Sequence, residues 1–155
     1  MNIESIRRCY FLSFLLIMLP FLICAQGEAG VRAIISVTAC EFFENYLHLL
    51  EDEETLIIDG RTQEMFSEGH LKNAINIDAD APNLLELLHP HLGRSRILLY
   101  CTTIRRTTDI MNALAEVYKG EIILISDGFR GWRQNGFPVW GISPVNPYNP
   151  DEKGL

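Results

Sequence analysis

The sequence predicts an α/β domain of three layers, with a mostly parallel central sheet of about five strands and helices on both faces. Three observations predict it. Apolar runs of four or five residues recur along the chain, and a strand that is apolar at successive positions is one covered on both faces. Helix-length stretches separate these runs, which is the alternation that builds parallel crossover units. The chain has 155 residues, which suits one ordinary domain and is short for two.

The elements follow in order. Ala33 to Val37 (AIISV) reads as a first short strand. Thr38 then serves as an N-cap, with Glu41 three residues on in the capping-box pattern. The helix it opens is predicted over 39–50, its apolar face made by Phe42, Phe43, Tyr46, Leu47, Leu49 and Leu50 at spacings of three and four. Glu51 to Glu54 form a solvated turn. Leu56–Asp59, Ala74–Ile77, Ile97–Tyr100 and Ile122–Ser126 are the further strands, and Thr62–Glu68, Pro82–Leu88 and Thr107–Tyr118 the helical stretches between them. No repeat occurs at a period of 20 to 50 residues. Residues 142–155 carry Pro144, Pro147 and Pro150 among Asn, Asp and Gly, and read as an irregular tail.

Composition narrows the function classes. A formal charge of −7 speaks against DNA or RNA as the main partner, since nucleic-acid binding needs a basic patch. With 48% hydrophobic and 21% charged residues the chain is no disordered acidic tail, and four cysteines are too few for a disulfide scaffold. The start differs from the rest. Cys9 to Ile23 is an uncharged apolar run behind Arg7 and Arg8, with the small residues Ala25, Gly27 and Ala29 after it. Basic residues, a short apolar core and small residues compose a secretory signal. The run is shorter than the roughly 20 residues a spanning helix needs, so cleavage after Ala25, Gly27 or Ala29 is the expectation, with Gly27 favoured, and an uncleaved anchor the alternative. Residues 1–27 carry Glu4, Arg7 and Arg8, so their removal leaves 128 residues at −8 with two cysteines, Cys40 and Cys101. The predicted organisation is a signal over 1–27, one domain over 28–141 and the tail over 142–155. The domain is expected to be exported: periplasmic or secreted if cleaved, held to a membrane by its N-terminal segment if not.

In an open α/β sheet the binding crevice lies at the carboxyl ends of the strands. There the sequence places Cys101, directly after the strand ILLY and just before Thr102, Thr103, Ile104, Arg105, Arg106 and the helix predicted from Thr107. Free amides at a helix start, the positive end of its dipole and two adjacent arginines each favour a thiolate, which is the nucleophilic form of cysteine. Cys101 is therefore the candidate catalytic residue, and residues 102–106 the candidate anion-binding loop.

From about Ser36 to Val139 the chain resembles a rhodanese-like, or sulfurtransferase, domain. Leu56-Ile57-Ile58-Asp59-Gly60-Arg61 is similar to the family's strand ending Asp-x-Arg, and Gly69-His70-Leu71-Lys72-Asn73-Ala74 to its Gly-His-apolar-x-x-Ala signature. Cys101 to Arg106 resembles the active-site loop Cys-x-x-Gly-x-Arg. Asp127-Gly128-Phe129-Arg130-Gly131-Trp132 with Gly136-Phe137-Pro138-Val139 resembles the ending Gly-Gly-Phe-x-x-Trp and Gly-x-Pro-Val. The four pieces come in family order.

The resemblance implies persulfide chemistry. A Cys101 thiolate takes the outer sulfur of a donor such as thiosulfate and passes it to cyanide or a thiol. It implies no cofactor and no metal, and the partners expected are a small anionic sulfur donor and that acceptor, with the domain a monomer. Two rivals stand beside it: a non-catalytic module of the same fold that binds a partner or senses sulfane sulfur, and a phosphatase or arsenate-reductase-like enzyme using the same thiolate. Related phosphatases have five residues between Cys and Arg; here Arg106 is the fifth residue after Cys101 and position 107 is Thr107, a tighter loop that favours sulfur. The chain departs from the family at Ile104, where glycine is usual. A β-branched residue is costly wherever a loop needs positive φ, so the loop either avoids that conformation or is distorted.

Asp59, Arg61 and His70 are read as supporting residues. The first two form a charge-assisted network at the crevice, and His70 is a turn residue bonded to backbone. Trp132 is read as packing, and His48, His89 and His91 lack the further ligands of a metal site. Cys40 could resolve a persulfide only if its Cα came within about 6 Å of that of Cys101.

Overall fold

A computed structural model describes residues 30–141; the predicted signal and the Pro-rich tail lie outside the described residues. In chain order the elements are β1 (Ala33–Val37), α1 (Ala39–Asn45), a 3-10 turn (Leu47–Leu50), β2 (Thr55–Asp59), α2 (Gln63–Ser67), β3 (Ile75–Asn76), α3 (Leu84–Leu88), a second 3-10 turn (His89–His91), β4 (Arg96–Tyr100), α4 (Ile104–Ala115), β5 (Glu121–Ile125) and α5 (Gly128–Gln134). The five strands form one sheet in the order β1-β5-β4-β2-β3, and every pairing is parallel. Among the described residues no helix is long and apolar enough to cross a membrane.

Strand alternation divides the core into two layers. Ile57, Leu98, Tyr100, Ile123 and Ile125 face one side and pack with Phe42 of α1 and with Phe129 and Trp132 of α5. Ile58, Ile97, Leu99 and Ile122 face the other and pack with Leu88 of α3 and Ile110 and Leu114 of α4. This is why the strands read as unbroken apolar runs. Trp132 is fully buried, and its indole donates to the Pro138 carbonyl at 2.8 Å. The capping box forms at α1: Glu41 N–H donates to Thr38 Oγ1 (3.2 Å) and Thr38 N–H to Glu41 Oε2 (2.7 Å).

The largest differences from the sequence reading are in the helices. The helix predicted over 39–50 stops at Asn45, since Tyr46 (φ −126°, ψ 6°) leaves the helical region and a 3-10 turn follows. The helix expected from Thr107 starts three residues earlier, at Ile104, with Thr103 extended before it (φ −133°, ψ 148°). The sequence reading contains no counterpart of α5, whose two glycines argue against a helix; the burial of Phe129 and Trp132 outweighs that propensity.

Candidate active site

Register builds the site. β4 is the middle strand, with β2 on one side and β5 on the other. Asp59 lies beside Tyr100 in the β2–β4 register, so Gly60 and Cys101 leave the sheet together. Gly60 N–H donates to the Tyr100 carbonyl at 2.9 Å. The Cys101 thiol donates to the Gly60 carbonyl at 3.2 Å, and the residue is 1% exposed. From the β5 side, Phe129 N–H donates to the Cys101 carbonyl at 3.1 Å. That approach requires Gly128: its φ is +61°, and a Cβ there would collide with the Cys101 carbonyl oxygen. The cysteine is thus fixed by backbone contacts from two neighbouring strand ends.

α4 begins three residues after Cys101, and its first-turn amides, those of Ile104, Arg105 and Arg106, have no acceptor within the helix. Thr103 makes no side-chain cap bond to them. The arrangement therefore brings a buried thiol next to a helix N-terminus, the place in a fold suited to an anion.

The two arginines turn elsewhere. Arg105 Nη2 donates to Asp80 at 2.8 Å and its Nη1 to Asp109 at 2.8 Å, while Arg106 donates to Asp80 through Nε (2.9 Å) and Nη2 lies 2.8 Å from it. Cations in the first turn of a helix meet the positive end of its dipole, and the Asp80 carboxylate offsets both. The Arg105 hydrogen bond, more than any other contact, holds the Asp80 carboxyl below its ordinary range. The same contact raises Arg105.

Asp59 and Arg61 form a buried pair. Arg61 donates through Nε to both Asp59 oxygens (2.9 and 3.0 Å) and through Nη2 to Asp59 Oδ2 and the Gly69 carbonyl, each at 2.6 Å. Its guanidinium carbon stacks 3.8 Å over the Phe129 ring. Burial first, then the nearby Asp59 carboxylate, push the Tyr100 phenol well above its usual range, so it stays protonated and accepts the Leu71 N–H at 3.1 Å. His70 follows Gly69. Its Nδ1 lies 3.0 Å from the Phe66 carbonyl, its ring stacks on Phe66, and its backbone pairs with Trp140.

A cleft of about 370 Å³ opens beside Thr102, lined by Arg61, Met65, Glu68, Phe129, Arg130 and others. Of the residues the sequence singled out, Arg61 and Thr102 line it, while Cys101 and Asp59 are buried and do not. Thr103, Ile104 and Arg105 are exposed, and Arg106 is half-buried against Asp80. Cys40 is exposed on α1 and close to Glu44, whose charge raises its thiol pKa. Sequence reasoning missed Gly60, Asp80 and Phe129 as site residues. Gly60 carried a signal within the Asp-Gly-Arg stretch, whereas Asp80 had none.

The family model of the rhodanese-like domain matches residues 43–135. The chain belongs to this family. Chloroplastic thiosulfate sulfurtransferase 16 of Arabidopsis thaliana is 33% identical over 96 residues, covering 53% of this chain and 77% of its own. A rhodanese-related protein of Thermoplasma volcanium superposes with a TM-score of 0.53 at 20% identity, covering 69% of this chain and 98% of the other. The rhodanese-like domain of an Anabaena protein gives 0.51 at 18%, covering 72% and 85%. At these identities the two structures establish the fold.

The departure of this rhodanese-like domain at position 104 now has a physical account. Ile104 is the first residue of α4, and among the described residues the non-glycine with positive φ is Asn73. The loop avoids the conformation that would penalise a β-branched residue. Ile104 is 77% exposed and does not line the cleft. Ile104→Gly relieves no strain and removes a better helix former from the first turn, at a cost of about 1 kcal/mol or less. The expected result is a small loss of stability in urea denaturation and sulfur transfer within about twofold of the parent. Markedly faster transfer would show that the parent loop is strained.

Proposed function

We propose that this domain is a thiosulfate sulfurtransferase working through a persulfide on Cys101. The observation that carries the reading is the cysteine at the end of the central strand, with the free amides of a helix N-terminus directly after it. The Cys101 thiolate attacks the outer sulfur of thiosulfate, the S–S bond of the donor breaks, and sulfite leaves with the bonding electrons. Cyanide or a thiol then attacks the outer sulfur of the persulfide, and Cys101 departs as the thiolate. The intermediate carries charge one bond beyond Cys101. Fixed amide dipoles stabilise charge at such a position without reorganising. The loop of four residues between Cys101 and Arg106 supports sulfur over phosphate as the group carried. The basic, apolar and small residues of the N-terminal segment support an extracytoplasmic location for this chemistry.

The test is direct. Purified protein incubated with thiosulfate is expected to gain about 32 Da on the Cys101 peptide, one sulfur as a persulfide, and to lose it on addition of cyanide as thiocyanate appears. A folded protein with neither adduct nor turnover would defeat the enzyme reading. That outcome would favour the non-catalytic module, a reading to which the near-complete burial of Cys101 lends support. Phosphate release from an aryl phosphate without sulfur transfer would point to the phosphatase chemistry.

A further inference from the structure

The Gly60 carbonyl accepts two hydrogen bonds, from the Cys101 thiol at 3.2 Å and from Ala79 N–H at 3.3 Å. The next residue is Asp80, so the segment bearing this carboxylate is latched to the same atom as the sulfur. From there Asp80 reaches both Arg105 and Arg106, and Asp109 takes the remaining arm of Arg105. Two cations and two carboxylates cancel, and the loop that the sequence marks as cationic is close to neutral.

We infer that Asp80 is a specificity-determining residue: it sets the charge around Cys101 and lowers the affinity of the site for small inorganic anions such as thiosulfate. This rests on the sulfurtransferase reading for its substrate, and on the geometry alone for its electrostatics. A carboxylate within a few ångströms of the loop is closer than the Debye length of about 8 Å at physiological salt, so its field reaches an incoming anion. The donor is then held chiefly by backbone amides, with the guanidinium groups of Arg105 and Arg106 committed to Asp80 and Asp109.

Asp80→Asn keeps the side chain's shape and removes its charge. In the purified protein it is expected to lower the KM for thiosulfate by about three- to tenfold at low ionic strength, with kcat within about twofold, and the difference is expected to shrink below about twofold near 0.5 M NaCl. A second readout does not need turnover. The rates at which anionic iodoacetate and neutral iodoacetamide alkylate Cys101 give a ratio that reports local charge, with Cys40 in the same chain as the reference. Asp80→Asn is expected to raise that ratio at Cys101 by about three- to tenfold at low salt. A ratio that does not rise, a rise that persists at high salt, or a Cys101 inert to both reagents overturns the assignment. A rise in the ratio in a protein that never transfers sulfur supports the role of Asp80 and refutes the sulfurtransferase reading.

Discussion

Cys101→Ser is expected to abolish sulfur transfer while leaving the domain folded. A serine hydroxyl can donate to the Gly60 carbonyl as the thiol does, so the join between β2 and β4 survives. The chemistry does not. A hydroxyl stays protonated near neutral pH and lacks the nucleophilicity of a thiolate. Thiocyanate formation should fall by at least about 10³-fold, to the level of the uncatalysed reaction, with no 32 Da adduct. Far-UV circular dichroism and the urea midpoint should match the parent within error. Cys40→Ser is the companion. The Glu44 charge raises the Cys40 thiol pKa, and the residue lies exposed on α1, so the rate is expected to be unchanged. More than a tenth of the parental rate in Cys101→Ser would place the sulfur carrier elsewhere.

The two variants test the part of the site that was legible in the sequence. β2, β4 and β5 stood out because both faces of each are covered, which forces apolar residues at successive positions. Once those strands were placed, Cys101 and Asp59 fell at strand ends by arithmetic alone. What the sequence concealed is set by contacts between distant residues. The arginines beside Cys101 read as an anion trap because neighbours in sequence suggest neighbours in function, yet their partner Asp80 is more than twenty residues away. α5 was hidden for the same kind of reason. Its glycines oppose helix formation locally, and the fold needs one of them, Gly128, for close approach to Cys101. The start of α4 was misjudged because residues 102–106 were read as a loop leading into a helix at Thr107, whereas the helix begins at Ile104, directly after the extended Thr103.

The largest effect on stability is expected at Asp59. The carboxylate is fully buried, and it accepts from Arg61 through backbone N–H, Nε and Nη2. Arg61 is 4% exposed, and its guanidinium also donates to the Gly69 carbonyl. Asp59→Ala strands that guanidinium in the interior without its counter-charge. Removing one partner of a buried ion pair costs about 3–5 kcal/mol, because the remaining charge is neither solvated nor paired. For a domain of this size such a loss is a large fraction of the whole stability, so the variant should unfold at a much lower urea concentration or fail to accumulate. The pair itself need not be strongly stabilising, since desolvating two charges offsets much of their attraction. The double variant Asp59→Ala/Arg61→Met separates these effects. With both charges gone and the methionine body still able to rest on Phe129, it is expected to recover a substantial part of the loss, giving a double-mutant coupling well outside additivity. Urea denaturation of the four proteins measures that coupling. Additive losses would mean that the pair acts through packing, and that Arg61 tolerates burial by drawing on the Gly69 carbonyl and the Phe129 ring instead.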